Sequence, residues 1–365
     1  MRVTAGLPAG VSALLFEAAR ARRRLERSLA ERLEAAGYAE VLLPILDYFD
    51  PYRDLLVGAE RELYRFVDRE GELLALRGDF TPMLARLLAP RVRSLALPVR
   101  VYYRGDVVRH RDAGPAGARE QCVVGVELLD AIAEVLSEPA SEVVDPEVAP
   151  ERSRPAAEEA PDVNGHDEEV LSLLIELLGL ALGFDPSSPP EAGAGSRLAL
   201  VLSWAGVLDE LLADDQGVAD RELALALARR ERAAFRERPE LRDILEEGLP
   251  SDPASLGRRG QAAIEALLAL RERLSARFGG VSLRIDLAEL TPVAAAGAPG
   301  RRTYYDGIVF QAYSPELALP IASGGRYDTL FRELGAPLGA AGFQIALDLL
   351  LEIGAAPSHR PEGER

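Results

Sequence analysis

The sequence predicts an α+β fold in which an antiparallel sheet is flanked by helices. Two observations lead to this prediction: apolar runs that pair as hairpins, and long helical patterns that lie beside these hairpins. Strands and helices segregated in this way are typical of the α+β class. The chain has 365 residues, of which 48% are apolar, enough for one large domain or two ordinary ones.

The first elements follow from periodicity and turn residues. A long amphipathic helix is expected before Gly37, which can close it. Its apolar face carries Leu25, Leu29, Leu33 and Ala36. A strand is expected at residues 40–44, and residues 63–77 have the two apolar runs and the central turn of a β-hairpin.

The middle of the chain changes in composition. A helix is expected to begin near Thr81 as its N-cap, with Pro82 at the first helical position. Residues 98–108 and 121–129 predict a second antiparallel pair of strands. Residues 136–165 are rich in Glu, Pro, Ala and Ser, and such a segment buries too little apolar area to offset its ordering entropy. We therefore expect a disordered acidic insert there.

The second half mixes helices with short strands. In chain order we expect an apolar helix from Asp167 to about Gly183, a strand at 198–203, a mostly helical region at 205–279, strands at 281–287 and 304–313, and helices after Arg326 and after Ala340. Residues 1–353 are assigned to one core, and residues 354–365 to a disordered tail.

Composition excludes several classes of function. The net charge of −17 opposes binding to nucleic acid, because phosphate contacts need a basic surface. No apolar stretch approaches the length of a membrane span, and the N-terminus lacks the pattern of a signal peptide. One cysteine, Cys122, and three histidines leave no disulfide and no zinc cluster. We expect a cytoplasmic protein that needs no metal or other cofactor and has no nucleic-acid or membrane partner.

Four segments carry side chains suited to binding a small polar ligand. In residues 76–86, Asp79 and Thr81 could together orient an ammonium group, although an ordinary helix cap has the same residues. Arg109, at a strand end, could bind a carboxylate or phosphate in a forked geometry. Glu127 lies among apolar residues and could be a buried acceptor. A solvated arginine cluster and a glutamate at a sheet edge are the simpler alternatives for this pair.

The two remaining segments lie near the C-terminus. Tyr304 and Tyr305 are adjacent at a strand start, so one ring falls on each face of the sheet, although a merely aromatic strand would look the same. Residues 323–328, Ser-Gly-Gly-Arg-Tyr-Asp, place two glycines before a helix, where the backbone can approach a ligand or a packing partner closely.

Taken in order, these segments resemble the class II aminoacyl-tRNA synthetase catalytic core, specifically its histidyl branch. The resemblance covers nearly the whole chain and ends in a segment similar to motif 3, residues 342–350. It implies that Asp79 and Thr81 take the histidine α-amino group, and that Glu127 and Tyr305 read the imidazole. Arg109 matches the motif 2 arginine, and Tyr304 joins the same histidine-binding set. The family's glutamine near Glu127 is Val123 here.

The nucleotide side of the resemblance is incomplete. Leu349 stands where motif 3 has the arginine that holds the ATP phosphates, and Arg111 replaces a motif 2 glutamate. A further arginine is expected at Gly300, with Arg301 as an alternative after a one-residue shift. The sequence after motif 3 is too short for an anticodon-binding domain, so none is expected. Because adenylate formation needs cations on the ATP phosphates, we expect no catalytic residues and no synthetase activity.

This pattern is similar to the regulatory subunits of ATP phosphoribosyltransferase, to which the Asp-Phe-Thr-Pro segment at 79–82 and the helical stretch at 226–237 also point. The resemblance implies a non-catalytic regulatory subunit for the first step of L-histidine biosynthesis. It further implies a hetero-oligomer with a short-form catalytic subunit, self-association as a class II-like dimer, and L-histidine as effector. Two alternatives stay open: a free-standing histidine-sensing module for another partner, and a minimal histidyl-tRNA synthetase.

Overall fold

The computed structural model describes residues 6–55, 59–110, 118–131, 165–191, 193–212, 221–290, 305–336 and 338–355. Several expectations lie outside these residues: those for the acidic insert up to residue 164, for the tail beyond residue 355, and for Arg111, Gly300, Arg301 and Tyr304.

The helices of the described chain are α1 (Phe16–Ala35), α2 (Asp50–Leu55), α3 (Thr81–Leu88), α4 (Gly165–Leu182), α5 (Asp209–Leu212), α6 (Arg221–Ala228), α7 (Pro239–Glu247), α8 (Gly257–Arg277), α9 (Asp328–Glu333) and α10 (Leu347–Ala355). The strands are β1 (Ala39–Glu40), β2 (Leu46–Tyr48), β3 (Arg65–Val67), β4 (Leu73–Leu76), β5 (Val99–Val108), β6 (Glu120–Ala131), β7 (Leu198–Trp204), β8 (Val281–Ile285), β9 (Ile308–Tyr313), β10 (Ala322–Arg326) and β11 (Leu338–Ala346).

An eight-stranded sheet forms the centre of the fold, in the order β1-β5-β6-β11-β10-β9-β7-β8. The six inner strands are antiparallel to one another, whereas the edge strands β1 and β8 pair in parallel with β5 and β7. A smaller antiparallel sheet has the order β2-β4-β3. The predicted α+β class is confirmed, and the sheet is mixed because both edge strands are parallel.

Both predicted strand pairs are present. Strands β5 and β6 pair from Val99 opposite Leu129 to Val108 opposite Glu120, and β3 pairs with β4 as a hairpin. Helix α1 buries Leu29 and Leu33 on the expected face, and Gly37 follows it with a φ of +85°. Its apolar stripe therefore packs against the core as the periodicity predicts.

Three local expectations were wrong. The strand expected at 40–44 is only Ala39–Glu40, since Leu43 and Pro44 turn their carbonyl oxygens toward Arg77. Thr81 is the first residue of α3 and not its N-cap, because its hydroxyl is bonded elsewhere. Residues 338–346 form strand β11, hydrogen-bonded between β6 and β10, so the last helix begins at Leu347.

Helix α4 is apolar on nearly every face and packs against α1, α8, α10 and β11. It begins at Gly165, so the last residue assigned to the acidic insert is already helical. Two of its glutamates reach neighbouring elements: Glu169 pairs with Arg100 at 2.6 Å, and Glu176 pairs with Arg277 at 2.7 Å. A helix that is apolar all round belongs inside a core, and α4 lies there.

Helices α5 to α8 occupy much of residues 205–279. Helix α8 buries one face against the core through Ala263, Ile264, Leu267, Leu270 and Leu274. The assignment of residues 1–353 to a single core domain stays a prediction. Within the described part of the chain, no helix is long and apolar enough to cross a membrane.

Candidate functional site

A buried carboxylate lies at the centre of the candidate site. Glu127, on β6, is 1% exposed, which excludes the alternative of a glutamate at a sheet edge. Its Oε1 accepts a hydrogen bond from the Thr81 hydroxyl at 2.5 Å and one from the Tyr103 hydroxyl at 3.3 Å. The Tyr327 hydroxyl donates to Oε2. Burial raises the pKa of Glu127 to about 8, although the hydrogen bonds from Thr81, Tyr327 and Tyr103 lower it.

Space for this carboxylate comes from a glycine on the adjacent strand. Gly342 on β11 is the register partner of Glu127. A Cβ at Gly342 would overlap both Oε2 of Glu127 and the backbone oxygen of Val126. Only a residue without a side chain fits there, so the Glu127 carboxylate can lie flat against the sheet.

Three of the expected residues meet at the start of α3. Asp79 Oδ1 accepts from the Thr81 backbone N–H at 3.0 Å, and Asp79 Oδ2 accepts from Arg109 Nη2 at 3.2 Å. Arg109 Nε also donates to the Gly78 carbonyl oxygen at 2.7 Å. Arg109 is thus tied to the site rather than being a member of a solvated arginine cluster. Its pairing with Asp79 places a cation and an anion side by side.

Tyr305 completes the described set. Its ring lies over Gly325, where a Cβ would come within 2.7 Å of the Tyr305 ring. Burial raises the pKa of Tyr305, the charges of Asp79 and Glu127 raise it further, and Arg109 lowers it. Tyr305 is therefore within electrostatic reach of these three charged groups. The position of Tyr304 lies outside the described residues.

Two further site residues were not predicted from the sequence. Tyr327 follows the two glycines of the Ser-Gly-Gly-Arg-Tyr-Asp segment, and its hydroxyl donates to Glu127. Tyr103 lies on β5 and stacks on Phe80, with ring centroids 4.2 Å apart. Val123 is buried in the same cluster as Phe80 and Tyr103, so the position where the family has a glutamine is apolar packing here. Side chains alternate between the two faces of a strand, and this alternation could have indicated that Tyr103 lies on the same face of the sheet as Glu127.

Ion pairs connect helix α4 to the two tyrosines. Arg326 makes a forked pair with Asp167, with Nε–Oδ1 and Nη2–Oδ2 distances of 3.2 and 3.1 Å. Arg326 Nη1 also lies 3.1 Å from Asp328 Oδ2, and Asp306 accepts the Asp328 backbone N–H at 2.9 Å. Because Asp306 follows Tyr305 and Tyr327 separates Arg326 from Asp328, this network fixes the backbone that carries both tyrosines.

The position that the resemblance assigns to the ATP phosphates carries an apolar side chain. Leu349 lies on α10, partly buried, and packs against the main hydrophobic core. The neighbouring Asp348 accepts the Cys122 backbone N–H at 2.7 Å, so it is used in holding α10 to β6. An apolar side chain at residue 349 offers no donor to a phosphate. Across the described ranges, no cluster of three or more His, Cys, Asp or Glu side chains could hold a metal ion.

The fold and the site together define a histidyl-tRNA synthetase-like core. The family model for histidyl-tRNA synthetase matches residues 10–137 and 162–350. A solved structure described as an ATP phosphoribosyltransferase regulatory subunit/histidyl-tRNA synthetase from Bacillus halodurans has the same fold. The TM-score is 0.71 at 23% identity, over 98% of this chain and 84% of that one.

Sequence comparison narrows the assignment further. The ATP phosphoribosyltransferase regulatory subunit of Symbiobacterium thermophilum is 33% identical over 348 residues, which is 94% of this chain and 79% of that protein. The regulatory subunit of Moorella thermoacetica is also 33% identical, over 94% of this chain and 81% of that protein. The chain belongs to the family of ATP phosphoribosyltransferase regulatory subunits.

Proposed function

We propose that the chain is the non-catalytic regulatory subunit of an ATP phosphoribosyltransferase. It acts with a short-form catalytic subunit in the first step of L-histidine biosynthesis and responds to L-histidine. One observation carries the proposal: the polar groups for the amino acid meet in one site, whereas Leu349 occupies the position of the phosphate-binding arginine. A minimal synthetase and a free-standing sensor are not favoured, because relatives named as regulatory subunits cover 94% of the chain.

The charges of the site suit an amino acid. Arg109 and Asp79 pair with each other at 3.2 Å. An amino-acid zwitterion carries the complementary pair, so its ammonium group can take Asp79 while its carboxylate takes Arg109. The buried Glu127, which is within electrostatic reach of Tyr305, then faces the side chain, and a carboxyl oxygen can accept the imidazole N–H in either protonation state. An apolar amino acid would give that buried acceptor no hydrogen bond, so the site disfavours apolar amino acids.

Calorimetric titration with L-histidine tests this site. The wild-type chain is expected to bind with a saturable heat, and Glu127→Gln should weaken binding by about 5- to 150-fold, because the amide keeps only one acceptor oxygen and replaces the other with an NH2 donor. Glu265→Gln on the exposed face of α8 is the matched control for removing one carboxylate. The site assignment fails if millimolar histidine gives no saturable heat, or if both variants bind alike.

An exposed apolar surface is the proposed site of self-association. It lies on the small sheet and the segment leading into it, and its members are Leu42, Ile45, Leu46, Tyr48, Phe66, Val67 and Leu73. Leu42 is 84% exposed and Val67 is 64% exposed. Contiguous apolar surface of this kind marks an interaction site, and the occupant is a second copy of the chain in a class II-like dimer.

The proposed function also implies a location and a set of partners. A biosynthetic subunit of this type works in the cytoplasm, where the free thiol of Cys122 is kept reduced. A net charge of −17 supports a function that does not involve nucleic acid. The chain contributes no catalytic residue, and its activity is the control of its partner.

A further inference from the structure

Three buried side chains form a stacked column next to the candidate site. The Arg77 guanidinium carbon lies 3.9 Å from the centroid of the Phe80 ring. On its other side, Phe80 stacks on Tyr103 at 4.2 Å with an interplanar angle of 7°. Tyr103 in turn lies flat on Gly125 of β6, where a Cβ would overlap its ring and hydroxyl. The column therefore holds the Tyr103 ring from both faces.

The two ends of the column reach different parts of the molecule. At one end the Tyr103 hydroxyl donates to Glu127 at 3.3 Å. At the other end Arg77 Nη1 donates to the carbonyl oxygens of Leu43 and Pro44 at 2.7 and 2.9 Å. Arg77 Nε and Nη2 both donate to the Asp106 carbonyl oxygen on β5. Arg77 is thus fixed against two backbone segments, one of which adjoins the exposed apolar surface.

Hydrophobic packing alone does not explain why an arginine lies buried at one end of the column. An apolar side chain would fill the place of Arg77 without the cost of burying a guanidinium group, which is 5% exposed here. The planar fork offers what an apolar residue cannot: four hydrogen bonds to backbone oxygens and a flat face on the Phe80 ring. Such a group fixes the position of Phe80, and Phe80 in turn fixes Tyr103.

We propose that Arg77 and Phe80 are positioning residues of the ligand site, which hold the Tyr103 hydroxyl against Glu127. This inference rests on the proposed function, in which Glu127 reads the effector's side chain. Neither residue touches the ligand, and each acts only through Tyr103. Arg77 also binds the carbonyls of Leu43 and Pro44, so the column is anchored on the segment that borders the exposed apolar surface.

The hydrogen bond from Tyr103 has a measurable consequence. It stabilises the charged form of Glu127 and so lowers the pKa of that carboxyl. Other groups that face the carboxyl are Thr81 and Tyr327 as donors, with Asp79 and Tyr305 close by. Loosening the column removes only the contribution of Tyr103. The pKa of Glu127 should then rise while the fold stays intact.

Phe80→Leu is the direct test, because it keeps an apolar side chain and removes the stacked ring. L-histidine is titrated by calorimetry from pH 6 to 9 in buffers of different ionisation heat, so that both affinity and proton exchange are measured. Affinity should fall by about 2- to 10-fold, the range expected for losing an aromatic stack. The pH midpoint of the proton exchange should move upward, whereas a loss of stability alone leaves that midpoint in place.

Two further variants and three controls make the outcome decisive. Arg77→Lys keeps the charge but loses the planar fork, and Gly125→Ala lifts Tyr103 from its other face. Both should reproduce the effect of Phe80→Leu even if that variant folds poorly. The matched control for Phe80→Leu is Phe235→Leu, a buried ring in a different hydrophobic cluster from Phe80 and Tyr103. The control for Arg77→Lys is Arg238→Lys, whose Nη1 binds a backbone carbonyl, and the control for Gly125→Ala is Gly339→Ala, which has room for a Cβ.

The results separate this inference from the function it rests on. If the wild type binds histidine and the column variants match their controls in affinity and midpoint, the positioning role is wrong and the histidine site stands. If the wild type binds no histidine, the site and the positioning role are both wrong. The inference is supported if the column variants lose affinity and their pH midpoint of proton exchange moves upward, while the control variants show neither change.

Discussion

Burial of Glu127 should make the protein less stable as the pH rises. The native state keeps the proton on this carboxyl up to a pKa of about 8, whereas the unfolded chain releases it near the ordinary value of 4.5. Between these values the native state binds more protons than the unfolded state, so a rise in pH favours unfolding. The free energy of unfolding should fall by roughly 1.4 kcal/mol per pH unit, or about 5 kcal/mol across the whole window.

Glu127→Gln removes this titration while keeping the size and shape of the side chain. Urea denaturation of wild type, Glu127→Gln and the control Glu265→Gln from pH 4.5 to 9 measures the effect. Protein concentration is held fixed, since self-association contributes to apparent stability. The stability of Glu127→Gln relative to wild type should increase by about 3 kcal/mol between pH 4.5 and pH 7. A difference that is constant with pH would show that Glu127 is charged throughout and refute the argument.

Three other outcomes are expected. Asp167→Ala should lower the free energy of unfolding by about 3 kcal/mol in urea, because the buried Arg326 charge loses its forked partner and keeps only Asp328, and an unchanged midpoint contradicts this. Replacing Leu42 and Tyr48 together by glutamate should convert a dimer to a monomer in sedimentation velocity, with no loss of helix content. Asp79→Asn should weaken L-histidine binding by about 5- to 150-fold in calorimetry, and equal affinity would remove Asp79 from the site.

Much of the fold is visible in local sequence. The two strand pairs, β3–β4 and β5–β6, join neighbouring segments, so turn residues and apolar runs are enough to predict them. Helix α1 has an apolar stripe that buries Leu29 and Leu33, which periodicity alone indicates. Glu127 could be predicted as buried because its neighbours from Val123 to Leu129 are nearly all apolar.

The remaining features depend on contacts between distant segments. Strand β11 was predicted as helix because its small apolar residues, including Gly339 and Gly342, do not alternate with polar ones. Its position between β6 and β10 depends on the order of strands in the sheet, which cannot be predicted from a local sequence pattern. For the same reason Tyr327, which is 200 residues from Glu127 in the chain, could not be paired with it from the sequence.

The hydrogen bond made by the Thr81 hydroxyl also depends on a distant segment and could not be predicted from local sequence. A threonine before a proline at a helix start predicts a cap, and local physics favours that bond. In the fold, Asp79 accepts the Thr81 backbone N–H, and the Thr81 hydroxyl binds the buried Glu127 instead. A buried carboxylate that needs donors outweighs the modest gain from a cap, and that competition appears only in the tertiary structure.

Reconstitution with a short-form catalytic subunit tests the central claim most directly. The purified chain, the catalytic subunit and their mixture are each assayed for phosphoribosyl-ATP formation from ATP and phosphoribosyl pyrophosphate, with and without L-histidine. The regulatory function predicts that the chain alone is inactive, that the mixture is far more active than the catalytic subunit alone, and that histidine inhibits the mixture. A catalytic subunit equally active without this chain, or histidine-dependent ATP–pyrophosphate exchange by the chain alone, would contradict the proposed function.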